Sequence, residues 1–80
     1  MNIIIIEDER LTAEDLADMI TEAEPGINIA ATLSSVREAL DYLRNNEEPD
    51  LIFSDIQLGD GLSFEIFQAL DIKAPIIFCT

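Results

Sequence analysis

The sequence predicts an α/β protein, a doubly wound parallel sheet with helices on both faces. Three observations predict it. Short apolar, β-branched runs alternate with amphipathic runs of helical period throughout the 80 residues. The connections between them are short, so the simplest path is a series of right-handed β-α-β crossovers. Two of the apolar runs also end directly in acids: Ile3-Ile4-Ile5-Ile6 leads into Glu7-Asp8-Glu9, and Leu51-Ile52-Phe53-Ser54 leads into Asp55. A buried strand ordinarily stops in residues suited to turning. In an open α/β sheet, ligands sit in the crevice beyond the carboxyl ends of the strands, where these acids would converge.

Each element has its own local signal. Asn2 to Ile6 is uniformly apolar after its first residue, the pattern of a strand buried on both faces. Over residues 10–22 the chain reads as a helix. Ala13, Leu16, Ala17 and Ile20, with Ala23 just beyond, recur at helical spacing between acids, and Pro25-Gly26 stops the run. Residues 27–33 read as a weaker second strand. Ser35, with Glu38 three residues on, forms a capping box for a second helix whose inner stripe is Val36, Ala39, Leu40 and Leu43. Asn45 to Pro49 is a turn, and residues 50–54 are the third strand. Residues 57–62 read as a loop. Residues 63–70 form a short helix with Phe64, Phe67 and Leu70 on one side, and Pro75 opens a last strand over residues 76–80. A parallel sheet needs cover on both faces, and three helices cover four strands poorly. The last strand would keep an exposed edge. The pattern therefore reads as the front part of a larger domain.

Composition narrows the function. Seventeen acidic and four basic residues give a net charge of −13. Nucleic-acid binding by this segment is argued against, because phosphate contacts need clustered Lys and Arg. The charge suits a divalent cation or a basic partner surface, although most of the acids read as solvated helix faces that keep the domain soluble. No apolar run approaches the ~18 residues of a membrane span, and no basic segment precedes the isoleucines as in a signal peptide. Cys79 is the single cysteine, so no internal disulfide is available, which fits a reducing cytoplasm. Histidine is absent, which excludes His-based catalysis, His metal sites and phosphohistidine. No Gly-rich phosphate loop follows the first strand.

The chemistry then rests on few residues. Mg²⁺ takes oxygen ligands, keeps several waters and typically uses one or two carboxylates, which Asp8 and Asp55 supply. Glu7 neighbours Asp8, and adjacent residues of an extended chain face opposite ways, so one of the pair must turn in at the loop or act through water. Read on its own, Glu9 is an acid at the positive end of the first helix, and Asp55 is a strand-ending residue capping its turn. Beside Glu7 and Asp8, Asp55 becomes a metal ligand and a possible nucleophile. Thr80 is either a β-branched strand residue or a hydroxyl at the same crevice. Cys79 reads as a small buried apolar residue with no cation nearby to activate it.

Taken together, three stretches resemble the receiver domain of two-component response regulators: Ile3 to Glu9, Pro49 to Leu58, and Pro75 to Thr80. The resemblance covers essentially the whole chain. Asp55-Ile56-Gln57-Leu58 is most similar to receivers attached to LytTR-type DNA-binding domains. The resemblance implies a flavodoxin-like (CheY-like) fold with strand order 2-1-3-4, lacking the fifth strand and the last two helices. Residues 1–80 would be the N-terminal part of a single cytoplasmic receiver domain. It implies that Asp55 accepts a phosphoryl group from a sensor histidine kinase. Asp8, Asp55 and the backbone carbonyl of Gln57 would hold Mg²⁺, with Glu7 assisting through water, and Thr80 would be the switch hydroxyl. Some features depart from the family. The lysine that ends the fifth strand has no counterpart, since Lys73 precedes the fourth strand. The usual proline of the loop after the phosphorylated Asp is replaced near Gly59, which should loosen that loop. Glu7 stands where Asp is commoner. Two other readings compete. One is a pseudo-receiver that works as an interaction or dimerisation module through an exposed sheet edge or uncovered faces. The other is a metal-dependent phosphatase, disfavoured because Gln57 stands where such enzymes place an acid.

Overall fold

The computed structural model describes residues 1–79. Its elements are β1 (Asn2–Ile6), α1 (Arg10–Ala23), β2 (Asn28–Leu33), α2 (Val36–Asn45), β3 (Leu51–Asp55), β4 (Gln57–Leu58), β5 (Gly61–Leu62), α3 (Phe64–Ala69) and β6 (Ile76–Cys79). The main sheet runs β2-β1-β3-β6 and its pairings are all parallel. This is the order 2-1-3-4 once β4 and β5, which pair only with each other, are set aside. A register shift between Ile3 and Ile4 lets β2 slip past β1 at Ala30.

β1 is central, and its isoleucines are buried on both faces, each no more than 1% exposed. Ile4 and Ile6, with Ile52 of β3, pack into one cluster with Val36, Ala39 and Leu43 of α2 and Ile66 of α3. Ile3 and Ile5 point the other way, where α1 crosses β1 and β2. Burying a side chain of this size stabilises by roughly 1.5–3 kcal/mol. The opposite end of the sheet is tied by acids: Asp50 accepts from the Asn2 N–H at 2.7 Å, and Glu48 accepts from the Ala74 N–H.

The capping box forms with one difference. Ser35 Oγ accepts from the Glu38 N–H at 3.0 Å, and Glu38 reaches back to the N–H of Ser34 rather than to that of Ser35. The third helix also differs from the sequence pattern. Ile66 is its buried residue, while Phe64 is 43% exposed. Both Phe64 and Phe67 turn edge-on to Phe78 of β6, with centroids 5.1 and 6.0 Å away. Phe67 and Leu70 still pack against the core beside Ile66, as their spacing predicts, while Phe64 lies at the sheet edge against Phe78.

Residues 57–62 are not an open loop. Gln57 pairs with Leu62 and Leu58 with Gly61, so Gly59-Asp60 makes a two-residue turn. Gly61 has φ +151°, and a Cβ there would lie 2.5 Å from the Glu65 carboxylate, which accepts from the Leu62 N–H. The segment where the proline is replaced is thus tied by the β4–β5 pairing and the Glu65 bond.

β6 is the outer strand among the described residues, as expected, with Ile77 45% exposed. Ile52→Ala should cost about 2–5 kcal/mol in urea unfolding, since it empties a site packed from both sides. Ile77→Ala should cost under about 1 kcal/mol, because little is lost from a half-exposed edge position. Equal losses would show that the edge is covered.

Candidate functional site

The site is built by register. Ile6 of β1 lies beside Ser54 of β3, so the next residues, Glu7 just past β1 and Asp55 at the end of β3, stand at the same level. The Glu7 N–H still bonds to the Leu33 carbonyl at 2.9 Å, which extends the β1–β2 ladder one residue and holds Glu7 at the strand mouth. Carboxylate oxygens of Glu7, Asp8 and Asp55 then lie within 4.8 Å of one another. Asp8 is exposed, and the other two are half-buried.

Part of each flanking carboxylate is already used. Glu7 Oε2 accepts from the Glu9 N–H at 3.1 Å, where α1 begins. Asp55 Oδ1 accepts from the Ile56 N–H at 2.8 Å. One oxygen of each remains free of these bonds. Glu9 stands at the N-cap position of α1, where its side chain makes no capping bond and takes only a weak bond from the Thr12 hydroxyl at 3.5 Å.

The crowding shows in the acid–base behaviour. Burial pushes the Glu7 carboxyl above its ordinary value of 4.5, and sharing with Asp8 and the charges of Asp55 and Asp8 push the same way, against the Glu9 N–H. The Cys79 thiol is also raised, first by burial and then by the charges of Asp55 and Glu7. Cys79 is half-buried rather than buried, since it lines the groove of about 450 Å³ that also holds Glu7, Asp8 and Asp55. Among the described residues no cation lines this groove to activate it, and its thiol stays protonated at neutral pH.

The donor set fits a hard divalent cation: carboxylate oxygens converge, two of them on a strand mouth, and their mutual repulsion is what such an ion relieves. Gln57 lies on a segment whose two ends meet this cluster, Asp55 at one end and Gly59 at the other. A Cβ on Gly59 would sit 3.8 Å from Asp8 Oδ2. Lys73 pairs with Asp71 at 3.1 Å, before β6 begins and so at the amino-terminal end of the strands. Thr80 lies outside the described residues.

One residue near the site went unread in the sequence. Asp60, in the β4–β5 turn, accepts from the Val36 N–H at 2.8 Å and the Arg37 N–H at 3.1 Å, at the start of α2. These bonds hold its carboxyl below the ordinary range. The only local signal was an acid between two glycines, which specifies a turn and not the helix it reaches.

The raised Glu7 carboxyl has a consequence for stability. Its folded-state value exceeds its unfolded one, so its contribution is fully present below pH 4.5 and is lost as pH rises through the folded value. With a chelator present, urea stability should therefore increase as pH falls from neutral toward that value. Asp55→Asn should lessen the trend in part, since burial remains its first cause, and add about 0.5–1 kcal/mol at pH 7, a gain scaled to an exposed charge pair. A variant with the unchanged pH slope would show that the cluster does not repel.

Comparison with known proteins follows the same lines. The pattern of the response regulator receiver domain matches residues 3–80. The chain is 34% identical over its whole length to the sensory transduction protein LytT of Enterococcus faecalis, covering 34% of that protein. LytT of Bacillus anthracis gives the same identity over the whole chain, with 33% of its length covered. Among solved structures, the response regulator PhyR from Brucella abortus aligns with a TM-score of 0.81 at 32% identity, over 96% of this chain and 32% of that one. The receiver domain of PhyR from Erythrobacter litoralis gives 0.72 at 35% identity, over 96% of this chain and 60% of that one. The chain spans about a third of the length of the curated relatives it matches.

Proposed function

We propose that this chain, which belongs to the response regulator receiver family, accepts a phosphoryl group on Asp55 and so carries a two-component signal. A receiver is a signalling module and not a member of a catalytic enzyme family. The observation that carries the proposal is the meeting of Glu7, Asp8 and Asp55 at the mouths of β1 and β3.

In the proposed reaction an Asp55 oxygen attacks the phosphorus of a phosphohistidine on a sensor histidine kinase. The P–N bond breaks, an acyl phosphate forms, and the imidazole leaves with the electron pair and takes up a proton. The Ile56 N–H fixes one Asp55 oxygen and so orients the carboxylate. Asp8, Asp55 and the Gln57 carbonyl would hold Mg²⁺, with Glu7 reaching it through water, and the ion would supply positive charge against the repulsion between carboxylate and phosphoryl oxygens. Thr80 follows Cys79, the register partner of Asp55, and is the proposed switch hydroxyl. The Asp55 phosphoryl group would turn such a hydroxyl toward new acceptors and pass charge into packing.

The wider role follows from the family. Residues 1–80 are proposed as the N-terminal part of one receiver domain, supported by their alignment to 60% of the Erythrobacter litoralis receiver. Similarity to LytT, with the Asp55-Ile56-Gln57-Leu58 wording, supports a LytTR-type transcriptional output and a cytoplasmic setting. Among the described residues, no helix is long and apolar enough to cross a membrane.

Incubation with a small phosphodonor and Mg²⁺ should place one phosphoryl group on Asp55, slowly, since Lys73 is too far along the sheet to assist. Intact mass with peptide mapping reads the site. Labelling that survives Asp55→Asn, or that ignores a chelator, would overturn the assignment.

The exposed β6 edge favours a second reading, an interaction module that pairs with another copy. Ile77 and Phe78 are 45% and 39% exposed on a strand whose outer edge has no neighbour among the described residues. Antiparallel pairing about a two-fold axis would set the acidic mouths at opposite ends and limit repulsion between the charged copies. Light scattering should then give a mass that rises with concentration and salt, and a strict monomer would exclude this reading.

A further inference from the structure

The segment that carries Gln57 is closed on itself. The Ile56 carbonyl accepts from both the Ser63 N–H and the Ser63 hydroxyl, at 2.9 and 3.2 Å. Glu65 braces the Leu62 N–H, and β4 pairs with β5 inside the loop. The turn that closes this small hairpin, Gly59-Asp60, approaches two other parts of the molecule. Gly59 stands close enough to Asp8 that a Cβ on it would sit 3.8 Å from the carboxylate, and Asp60 grips the first turn of α2 with both oxygens.

Capping of α2 is therefore divided. Ser35 satisfies the Glu38 N–H, and the Val36 and Arg37 N–H groups are left to a residue 24 and 23 positions away. A local cap would have sufficed for the helix, since water or an N-terminal side chain can satisfy the same donors. A cap drawn from the loop also fixes that loop, and with it the distance between the backbone of residues 57–59 and Asp8.

We propose that Asp60 is a positioning residue for the cation site: its clamp on α2 holds the Gln57–Gly59 backbone against Asp8, so cation affinity and the order of the α2 N-terminus are coupled. The proposal rests on the metal-site reading given above. Coupling of this kind is reciprocal, so the cation should tighten the clamp as much as the clamp favours the cation.

The test is a Mg²⁺ titration by ¹H–¹⁵N NMR of the chain and of three variants, with melting temperature measured alongside. Asp60→Ala should weaken Mg²⁺ binding about three- to tenfold, the factor expected if most of a typical cap is coupled to the site. Asp60→Asn loses the same charge but keeps one oxygen, enough to accept from one of the two N–H groups, and should recover part of the affinity. Ser35→Ala uncaps the same helix without touching the loop, and should lower the melting temperature while leaving Mg²⁺ affinity unchanged. In the unsubstituted chain, Mg²⁺ should slow hydrogen exchange at the Val36 and Arg37 amides. Two results would overturn the clamp alone: Asp60→Asn binding as weakly as Asp60→Ala, which reduces the effect to charge, or Ser35→Ala weakening Mg²⁺ equally, which reduces it to helix stability. Resonances of Glu7, Asp8 and Asp55 that ignore Mg²⁺ in the unsubstituted chain would instead overturn the metal-site reading beneath it.

Discussion

Ile3 to Ile6 are closed off on both faces of the sheet, and this sets the position of every acid at the site. An alternating strand resists a one-residue slip because the slip would turn its apolar face outward. β1 has no such alternation, so its ends fix it instead. A slip one way would draw Glu7 between the layers, and a slip the other way would draw in Asn2. Both are costly, because a polar group moved inside must find new partners. The strand is thereby locked with Glu7 at its mouth, level with Asp55, and the repulsion there is the consequence.

The acids of this chain divide into two kinds. Glu38, Glu48, Asp50, Asp60 and Glu65 each accept a backbone N–H at a helix start, a strand start or a turn. These carboxylates hold the fold together, and their charge is partly answered by amide dipoles. Glu7 and Asp55 also accept one backbone N–H each, but with Asp8 they crowd their carboxylates against one another. The net charge alone does not separate the two kinds, and their partners do.

Much of this was legible in the sequence because it is local. The isoleucine run, the acids that end it, the Ser35–Glu38 pair and the Pro25-Gly26 stop are all read within a few residues, and the strand order is what the receiver resemblance implied. What was not legible depends on distant chain. Asp60 looks like a turn residue until α2 is brought beside it. Ile66 rather than Phe64 is the fully buried residue of α3, because Phe64 lies at the sheet edge against Phe78, which arrives later in the chain. The β4–β5 hairpin depends on Glu65, whose position is set by α3. The half-exposure of Cys79 follows from the groove beside the acids, which no spacing encodes.

The central place of β1 also bears on how the chain is made. Synthesis delivers this strand first, yet one of its neighbours, β3, starts with the segment whose Asp50 bonds Asn2 across 48 residues. At ribosomal speeds of roughly 5–20 residues per second, that interval lasts a few seconds. For that time the most apolar stretch of the nascent chain has no complete sheet to enter, and its isoleucines are open to any chaperone that shields extended hydrophobic segments.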